Sequence, residues 1–482
     1  MSKATFKGGA HPYEGKSLSE NAEISLLDLP GEYVFPMSQH IGAPAKPCVN
    51  VGDNVLAGQK IGEAQGFISA DVISSVSGTV KKIEPRMQTG GQPQMSVVVE
   101  SDGRFETVPG VGEERSAADL SKEEIRDLVK AAGITGMGGA GFPTYVKLMP
   151  KDDEAIDYFI ANGSECEPYL TSDYRLMMEE GEKIIGGLKI CLKLFPNAKG
   201  IIAIEDNKPK AIEHMTKLCA GEKRIEVKAL KTKYPEGGER QLINAVTGRY
   251  INSSLLPADA GAIVDNVATL IAIYDAVVLN TPLMQKVITV TGDAVKNPSN
   301  VKVRIGSSYK DILQAVGGLK TEARKLICGG PMMGQALFDL NVPVTKPSSA
   351  LCAFAHDEVE ENPTTPCIRC ARCVDACPEF LVPPMMVRAA THGDLEGFEA
   401  LNGMECMECG TCSYVCPARR PLTQIFKQAR KMVMNKRRTE AAEKRQRDEL
   451  ERIAKEAGEA AKKAALEELY EASKKATAKA LK

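Results

Sequence analysis

The 482-residue chain has no tryptophan, and its aromatic content is 5%. Long apolar runs are missing too. A membrane-spanning helix needs about 18 or more apolar residues, and the nearest stretch, 262–279, carries Asp265 and Asp275 and reads as a buried strand and helix. The opening stretch, MSKATFKGGAHPYEGK, lacks the apolar core of a secretion signal. The expectation is a cytosolic protein, held at a membrane only through partners. Charge of one sign is also lacking. Lys and Arg number 61 against 63 Asp and Glu, a net charge of -2, so no basic field points to nucleic acid.

What is abundant is cysteine, and it is clustered. Eight of 14 cysteines lie between Cys367 and Cys416. In a cytosolic chain such clustering indicates metal rather than disulfides. The other six (Cys48, Cys166, Cys191, Cys219, Cys328 and Cys352) read as small buried apolar residues. The cluster is a doubled motif, Cys367-x-x-Cys370-x-x-Cys373-x-x-x-Cys377-Pro378 and Cys406-x-x-Cys409-x-x-Cys412-x-x-x-Cys416-Pro417. This is the bacterial ferredoxin spacing, in which the fourth cysteine of each run ligates the other run's [4Fe–4S] cluster. Cluster one is therefore assigned Cys367, Cys370, Cys373 and Cys416, and cluster two Cys406, Cys409, Cys412 and Cys377. Zinc would take two C-x-x-C pairs rather than three close cysteines followed by Cys-Pro. Helix-like sequence fills the 28 residues between Cys377 and Cys406.

Along the chain the sequence changes character several times. Residues 30–100 alternate in short Val/Ile runs with Gly turns, as in the β-sandwich of lipoyl and biotinyl carrier domains. No Lys stands between Glu63 and Ser77, where a carrier lysine would sit, so a structural module without a prosthetic group is expected. Residues 121–132 read as a helix with a Ser121/Glu124 capping box. From 156 to 285, strand-like IDYFIAN, KGIIAIE and RIEVKAL alternate with helix-like 180–194, 208–219 and 238–247. That alternation predicts an α/β domain with a mostly parallel sheet. KVITVTG, VKVRIG, a helix over 308–316 and KLICGG suggest a small α+β module. A basic stretch at 427–438 leads into an Ala/Glu/Lys-rich tail. Its apolar stripe, Leu450, Ile453, Ala457, Leu466, Leu469 and Tyr470, is thin and reads as a solvated helix.

The loop GITGMGGAGFPT contains G-x-G-x-x-G at Gly136, Gly138 and Gly141. A Rossmann turn follows a strand and opens a helix. This one follows a predicted helix and runs into Phe142-Pro143, so the ordinary fingerprint is rejected. Bare glycines still let backbone N–H groups approach a flat or anionic ligand.

Taken with ANGSECEP at 161–168, YPEGGERQL at 234–242 and VDNVATL at 264–270, the chain resembles the C subunit of the Rnf ion-translocating ferredoxin:NAD oxidoreductase complex. More distantly it is similar to the NADH/FMN-binding subunit of respiratory complex I and to hydrogenase subunits. The resemblance covers nearly all of residues 5–435. It implies a multidomain α/β and α+β protein. The order is a barrel-sandwich module (1–115), an FMN/NADH-binding α/β domain (116–284), a β-grasp-like unit (285–345), a helical two-cluster ferredoxin domain (346–438) and a charged helical tail (439–482). It implies that Gly136, Gly138, Gly139, Ala140 and Gly141 offer backbone contacts to non-covalent FMN and to NADH. Phe142 would stack, and Lys147 would meet phosphate or flavin oxygens. Asn162 and Glu165 would contact flavin, Glu167 would lie near the nicotinamide, and Tyr234, Gly237, Glu239 and Asn266 would complete the site. Glu165 and Glu167 are the catalytic candidates. The chain departs from the complex I pattern at Ser164, where that pattern has Asp, and at Gly238, where it has Glu.

NADH gives a hydride, whereas a cluster takes one electron, and a flavin handles both. The expected activity is electron exchange between NADH/NAD and ferredoxin through FMN and two [4Fe–4S] clusters. Integral-membrane and iron–sulfur subunits of the same complex would couple it to Na⁺ or H⁺ translocation at the cytoplasmic face of the membrane. A cluster-bearing adaptor without flavin, and a soluble hydrogenase or bifurcating-dehydrogenase subunit, are the alternatives.

Overall fold

The computed structural model describes residues 4–456 and 462–480; Ala457 lies outside them. The chain divides into two compact units. The larger runs to Phe380 and takes back Cys409–Arg420; the smaller holds Leu381–Glu408 and the chain from Pro421.

In the larger unit, strands β1 (Ile24–Leu27), β2 (Glu32–Pro36), β3 (Lys46–Pro47), β4 (Asn54–Val55), β5 (Lys60–Glu63), β6 (Val72–Ile73), β7 (Gly78–Met87) and β8 (Pro93–Ser101) come first. The order β2-β8-β7-β4 forms one sheet and β3-β5-β6 a second. Tyr33 and Phe35 on β2, with Val97 and Val99 on β8, alternate into the core between them, as the two-residue period of a strand requires. This is the expected sandwich.

Helix α1 (Lys122–Ala131) follows, opened by Ser121 and Glu124 in a reciprocal capping box. Then come α2 (Thr144–Lys147), β9 (Tyr158–Asn162), α3 (Ser172–Glu179), α4 (Gly181–Leu194), β10 (Lys199–Glu205), α5 (Pro209–Leu218), β11 (Ile225–Leu230), α6 (Glu239–Thr247), β12 (Ala262–Asn266) and α7 (Val267–Val278). The four strands are parallel, in the order β11-β10-β9-β12. Both faces are covered, one by α1, α4, α5 and α7 and the other by α6, which is why these strands read as unbroken apolar runs. Helices α4 and α7 meet closely at Gly187, where a Cβ would fall 2.1 Å from the Leu270 carbonyl oxygen.

The next sheet joins β13 (Gln285–Thr291), β14 (Ser299–Arg304), β15 (Lys325–Cys328), β16 (Gln335–Ala336) and β17 (Ala350–Phe354), with α8 (Tyr309–Ala315) packed on it. Its order, β1-β14-β13-β17-β15-β16, reaches beyond the expected 285–345. β1 pairs with β14 from the N-terminal segment, and β17 lies between β13 and β15. The reason is long-range pairing, which a strand's own residues do not specify. Of the six scattered cysteines expected to be buried, Cys191, Cys219 and Cys352 are, Cys166 and Cys328 are half-buried, and Cys48, just past the end of β3, is exposed.

Short helices α9 (Glu358–Glu361), α10 (Arg372–Asp375) and α13 (Thr411–Tyr414) complete the larger unit. The smaller unit is helical: α11 (Pro383–Thr391), α12 (Leu395–Ala400), α14 (Leu422–Glu456) and α15 (Lys462–Ala480). Phe398 packs on Phe426, and Arg430 pairs with Glu408 at 2.5 Å. Helix α14 runs unbroken through residue 438, where the tail was expected to begin.

One buried lysine ties three modules of the larger unit. Lys346 Nζ donates to the carbonyls of Asp71 in the sandwich and Gly133 beside the glycine loop, each at 2.6 Å. Its own N–H donates to Gln39 Oε1 at 3.1 Å. Burial pushes its pKa down to about 7. A lowered lysine binds fewer protons folded than unfolded between that value and 10.5, so its contribution to stability grows as pH rises through this window. Lys346→Met strands two carbonyls and should destabilise by about 2 kcal/mol. The gap from the native protein should widen by up to about 1.4 kcal/mol per pH unit above 7. Urea unfolding at pH 7 and pH 9 checks both; a gap independent of pH contradicts the assignment.

Candidate functional site

The strand order reverses between β9 and β12, because the chain adds β10 and β11 on one side of β9 and then crosses to the other. Open α/β sheets bind ligands in the crevice at such a switch point, at the C-terminal strand ends. Asn162 ends β9, Asn266 ends β12, and the two are register partners. Asn266 caps α7, accepting the Ala268 N–H at 2.8 Å, and donates to Asp173 Oδ2 at 2.7 Å. Asn162 donates to the Gly237 carbonyl at 2.9 Å and accepts the Ser164 N–H at 3.2 Å.

The glycine loop sits against this crevice. It is the end of a small hairpin: Thr135 bridges Pro143, and the Gly136 N–H donates to the Phe142 carbonyl at 2.8 Å. Met137 N–H donates to Thr269 Oγ1 at 3.0 Å, anchoring the loop to α7. Gly138 has φ +82°, and a Cβ there would fall 3.2 Å from Asn266 Nδ2. Gly138, Gly139 and Ala140 are exposed, and Phe142 is half-buried. Among the described residues, the N–H groups of Gly138, Gly139, Ala140 and Gly141 donate to no protein acceptor. Clustered open N–H groups suit an anion, so this loop fits the phosphate of a nucleotide cofactor. The fully buried Ser164 Oγ also has no hydrogen-bond partner.

Lys147 approaches from α2. Its Nζ donates to the Val264 carbonyl at 2.7 Å and lies 3.3 Å from Glu239 and 3.5 Å from Asp265. Burial works to lower its pKa, but the two carboxylates outweigh burial and raise it. Asp265 itself, fully enclosed, is pushed up to about 6 by burial. The ammonium is thus already matched by carboxylates, of which Glu239 is exposed at the start of α6.

The loop 163–170 carries both catalytic candidates. Glu165 has φ +49°; its carboxylate accepts the Asp173 N–H at 2.7 Å and the Tyr174 N–H at 3.3 Å, at the start of α3. Burial raises its pKa. Glu167 accepts the N–H groups of Met332 and Met333 at 3.1 and 2.8 Å, and burial pushes it up to about 7. Each carboxylate is therefore held by backbone donors, Glu167 by the turn after β15. Two lysines with no motif around them hold the loop. Lys16 Nζ donates to the carbonyls of Glu165, Glu167 and Leu170 at 2.8, 3.1 and 2.8 Å. Lys208 Nζ donates to the Ser164 carbonyl at 2.7 Å and pairs with Glu205 at 3.3 Å. Sequence reasoning missed both, since only the folded chain brings them to the loop. Gly237 N–H meets Cys166 Sγ at 3.3 Å. Buried Tyr234 donates its O–H to the Cys409 carbonyl at 2.6 Å.

The cysteines differ in burial within and between the motifs. In the first, Cys367 and Cys370 are exposed, Cys373 is half-buried and Cys377 is buried; in the second, Cys409 is buried and Cys406, Cys412 and Cys416 are half-buried. Burial raises the Cys373 thiol, with Cys416, Cys370 and Cys367 acting on it as neighbours. Burial likewise raises Cys409, with Cys377 acting on it. Each motif's fourth cysteine thus neighbours the other motif. Cys406 belongs to the smaller unit. Among the described residues no three His, Cys, Asp or Glu converge tightly enough to hold one ion. Thiolates around a single zinc, at about 2.3 Å from it, must lie closer together than those at the corners of a cubane. The donor set, all thiol and doubled, suits iron–sulfur chemistry.

A switch point edged by open N–H groups, in a chain that also carries two ferredoxin motifs, fits a flavin and iron–sulfur redox protein. Comparison with known proteins gives the same parts. Residues 4–104 match the RnfC barrel sandwich hybrid domain, 129–275 the Nuo51 FMN-binding domain, 287–336 the SLBB domain and 359–441 a 4Fe-4S dicluster domain. The chain is 45% identical to the C subunit of the proton-translocating ferredoxin:NAD(+) oxidoreductase complex of Clostridium ljungdahlii, over 79% of this chain and 83% of that one. It is 41% identical to the C subunit of the Na(+)-translocating complex of Acetobacterium woodii, over 90% and 98%. Among solved structures it resembles a NAD+-reducing [NiFe]-hydrogenase at 22% identity and a TM-score of 0.45, over 62% of this chain and 56% of that chain. The chain belongs to the RnfC family, the C subunits of ion-translocating oxidoreductase complexes.

Gly138→Ala places a methyl against Asn266 and imposes a left-handed φ on alanine, a cost of about 1–2 kcal/mol. FMN affinity should fall about tenfold while the melting temperature changes little; fluorescence titration of FMN checks this.

Proposed function

We propose that the chain is the subunit that exchanges electrons between NADH/NAD and ferredoxin through FMN and two [4Fe–4S] clusters. Integral-membrane and iron–sulfur partners in the complex couple the transfer to Na⁺ or H⁺ translocation, with this chain peripheral at the cytoplasmic face. No helix of the described residues is long and apolar enough to cross a membrane. We keep the expected order of five modules, with the third drawing β1 and β17 in from outside 285–345 and α14 crossing the expected 438/439 boundary. The observation that carries the reading is the row of open N–H groups at the switch point, joined through the 163–170 loop and Tyr234 to a buried cluster cysteine.

Bound FMN supplies the conversion between hydride and single-electron transfer. Gly138, Gly139, Ala140 and Gly141 would offer it open backbone N–H groups and Phe142 an aromatic face, while Gly136, its N–H spent on the Phe142 carbonyl, closes the hairpin beside it. Lys147 sets the positive charge beside it, buffered by Asp265 and Glu239. Asn162, Asn266 and Gly237 shape the crevice floor. Glu165 and Glu167, whose pKa values burial raises into the neutral range, would exchange protons near bound flavin and nicotinamide. Cys367, Cys370, Cys373 and Cys416 hold cluster one; Cys377, Cys406, Cys409 and Cys412 hold cluster two. Because Cys377 and Cys409 are buried and Tyr234 reaches Cys409, cluster two is the one nearer the flavin.

Anaerobically purified protein should contain about eight irons and one FMN, and both chromophores should bleach with NADH. Eight irons without flavin, and no bleaching after FMN is added back, would leave a cluster-bearing adaptor instead. Tyr234→Phe removes one hydrogen bond to a ligating cysteine. It should lower the midpoint potential of one cluster by on the order of 40 mV, the one-electron equivalent of about 1 kcal/mol, leaving the other unchanged. Potentiometric EPR resolves the two.

A further inference from the structure

Electrons that reach cluster one must cross to another protein, and the surface around its ligands has a definite chemistry. Segment 363–372 is exposed throughout, between half-buried Asn362 and half-buried Cys373. It runs beside the end of the second motif: Thr365 N–H donates to the Ala418 carbonyl at 3.0 Å, and Thr364 Oγ1 to the Arg419 carbonyl at 3.2 Å. Ile368, between two ligating cysteines, is 66% exposed. Around it stand Arg369, Arg372, Arg419 and Arg420. None of the four forms an ion pair among the described residues. Within 363–376 and 416–420, Asp375 is the single carboxylate. Of the acidic residues just upstream, Asp357 is bound by Lys325 at 2.7 Å and Glu361 faces His356 at 3.1 Å, while Glu358 and Glu360 on α9 are exposed and lie outside the 363–372 segment. The ligands assigned to cluster two are less exposed: Cys377 and Cys409 are buried, and Cys406 and Cys412 half-buried.

An exposed apolar centre ringed by unpaired arginines is the pattern of a small, electrostatically steered interface, in which charge governs encounter more than final affinity. Electron-transfer encounters are of this small kind. The geometry points to this rim as the docking surface for an acidic iron–sulfur subunit of the same complex, seated over Ile368 so that electrons pass through cluster one. The inference rests on the proposed function and adds to it the face, its charge and the partner's chemistry.

The test uses membranes carrying the assembled complex with Arg372→Glu, Arg419→Glu and Arg420→Glu together. Two activities are read. NADH-driven bleaching of the isolated protein's clusters reports the internal path, and NAD⁺ reduction by reduced acidic ferredoxin reports the whole complex. The variant should keep the bleaching and lose at least tenfold in whole-complex rate at low salt. Its dependence on ionic strength, steep in the native complex, should flatten, and lysine at the three positions should restore both. A variant with native rate and native salt dependence overturns the inference. So does rapid, salt-dependent reduction of the isolated native protein by ferredoxin alone, which would make a soluble carrier the occupant. If the triple variant loses iron, single Arg372→Gln serves, and unchanged salt dependence there overturns it equally. Failure of the native protein to bleach with NADH would strike the proposed function instead.

Discussion

Two buried ammonium groups on one loop are the constraint on which the rest depends. Lys16 and Lys208 between them satisfy the carbonyls of Ser164, Glu165, Glu167 and Leu170. A buried loop cannot leave such groups unpaired without cost. With the backbone fixed, Glu165 can grip the start of α3, and Glu167 can grip the turn at Met332 and Met333. Gly410, in the second cysteine motif, packs within 2.7 Å of the Met332 carbonyl oxygen at its Cβ position. A chain of short contacts thus runs from the switch point, through the loop, to the cysteine segment. The N-terminal segment that supplies Lys16 therefore helps to hold the 163–170 loop, although it precedes the glycine and cysteine motifs.

Much of this was legible in the amino-acid sequence. The parallel sheet followed from IDYFIAN, KGIIAIE and RIEVKAL, the α1 cap from Ser121 and Glu124, and the presence of a 4Fe-4S dicluster domain from cysteine spacing. The rejection of a Rossmann turn agrees with the hairpin at Thr135 and Pro143. What stayed hidden was whatever long-range pairing decides. β1 and β17 complete a sheet whose other strands lie far from them in sequence, and no local pattern marks Lys16, Lys208 or Lys346 as buried. Single-residue roles were also underdetermined. Lys147 carries the expected charge but spends it on Asp265 and Glu239, and Tyr234, named for a nucleotide motif, reaches Cys409.

The two ferredoxin motifs show how little a motif fixes by itself. Their spacing is identical, yet the burial of their cysteines differs: the first runs from exposed Cys367 to buried Cys377, and in the second Cys409 is buried and the other three are half-buried. The difference comes from the neighbours: Tyr234 reaches Cys409 and the Gly9 N–H reaches the Ala376 carbonyl, whereas Cys367 and Cys370 lie on an exposed segment. Burial and hydrogen bonding are what tune cluster potentials, so one motif used twice offers its cysteines two different surroundings.

The sandwich module gives the last lesson. Its loop between Glu63 and Ser77 lacks the lysine that a carrier domain would extend. Phe67 from that loop meets Tyr145 edge to face, the Tyr145 hydroxyl donates to the Phe67 carbonyl, and Lys346 binds Asp71 beneath it. A carrier domain works by travelling; its lysine is a hinge for a swinging arm. Here the same architecture is clamped at the place where the arm would start. A fold whose relatives travel has become a fixed buttress, joined through Lys346 to Gly133 at the foot of the glycine loop.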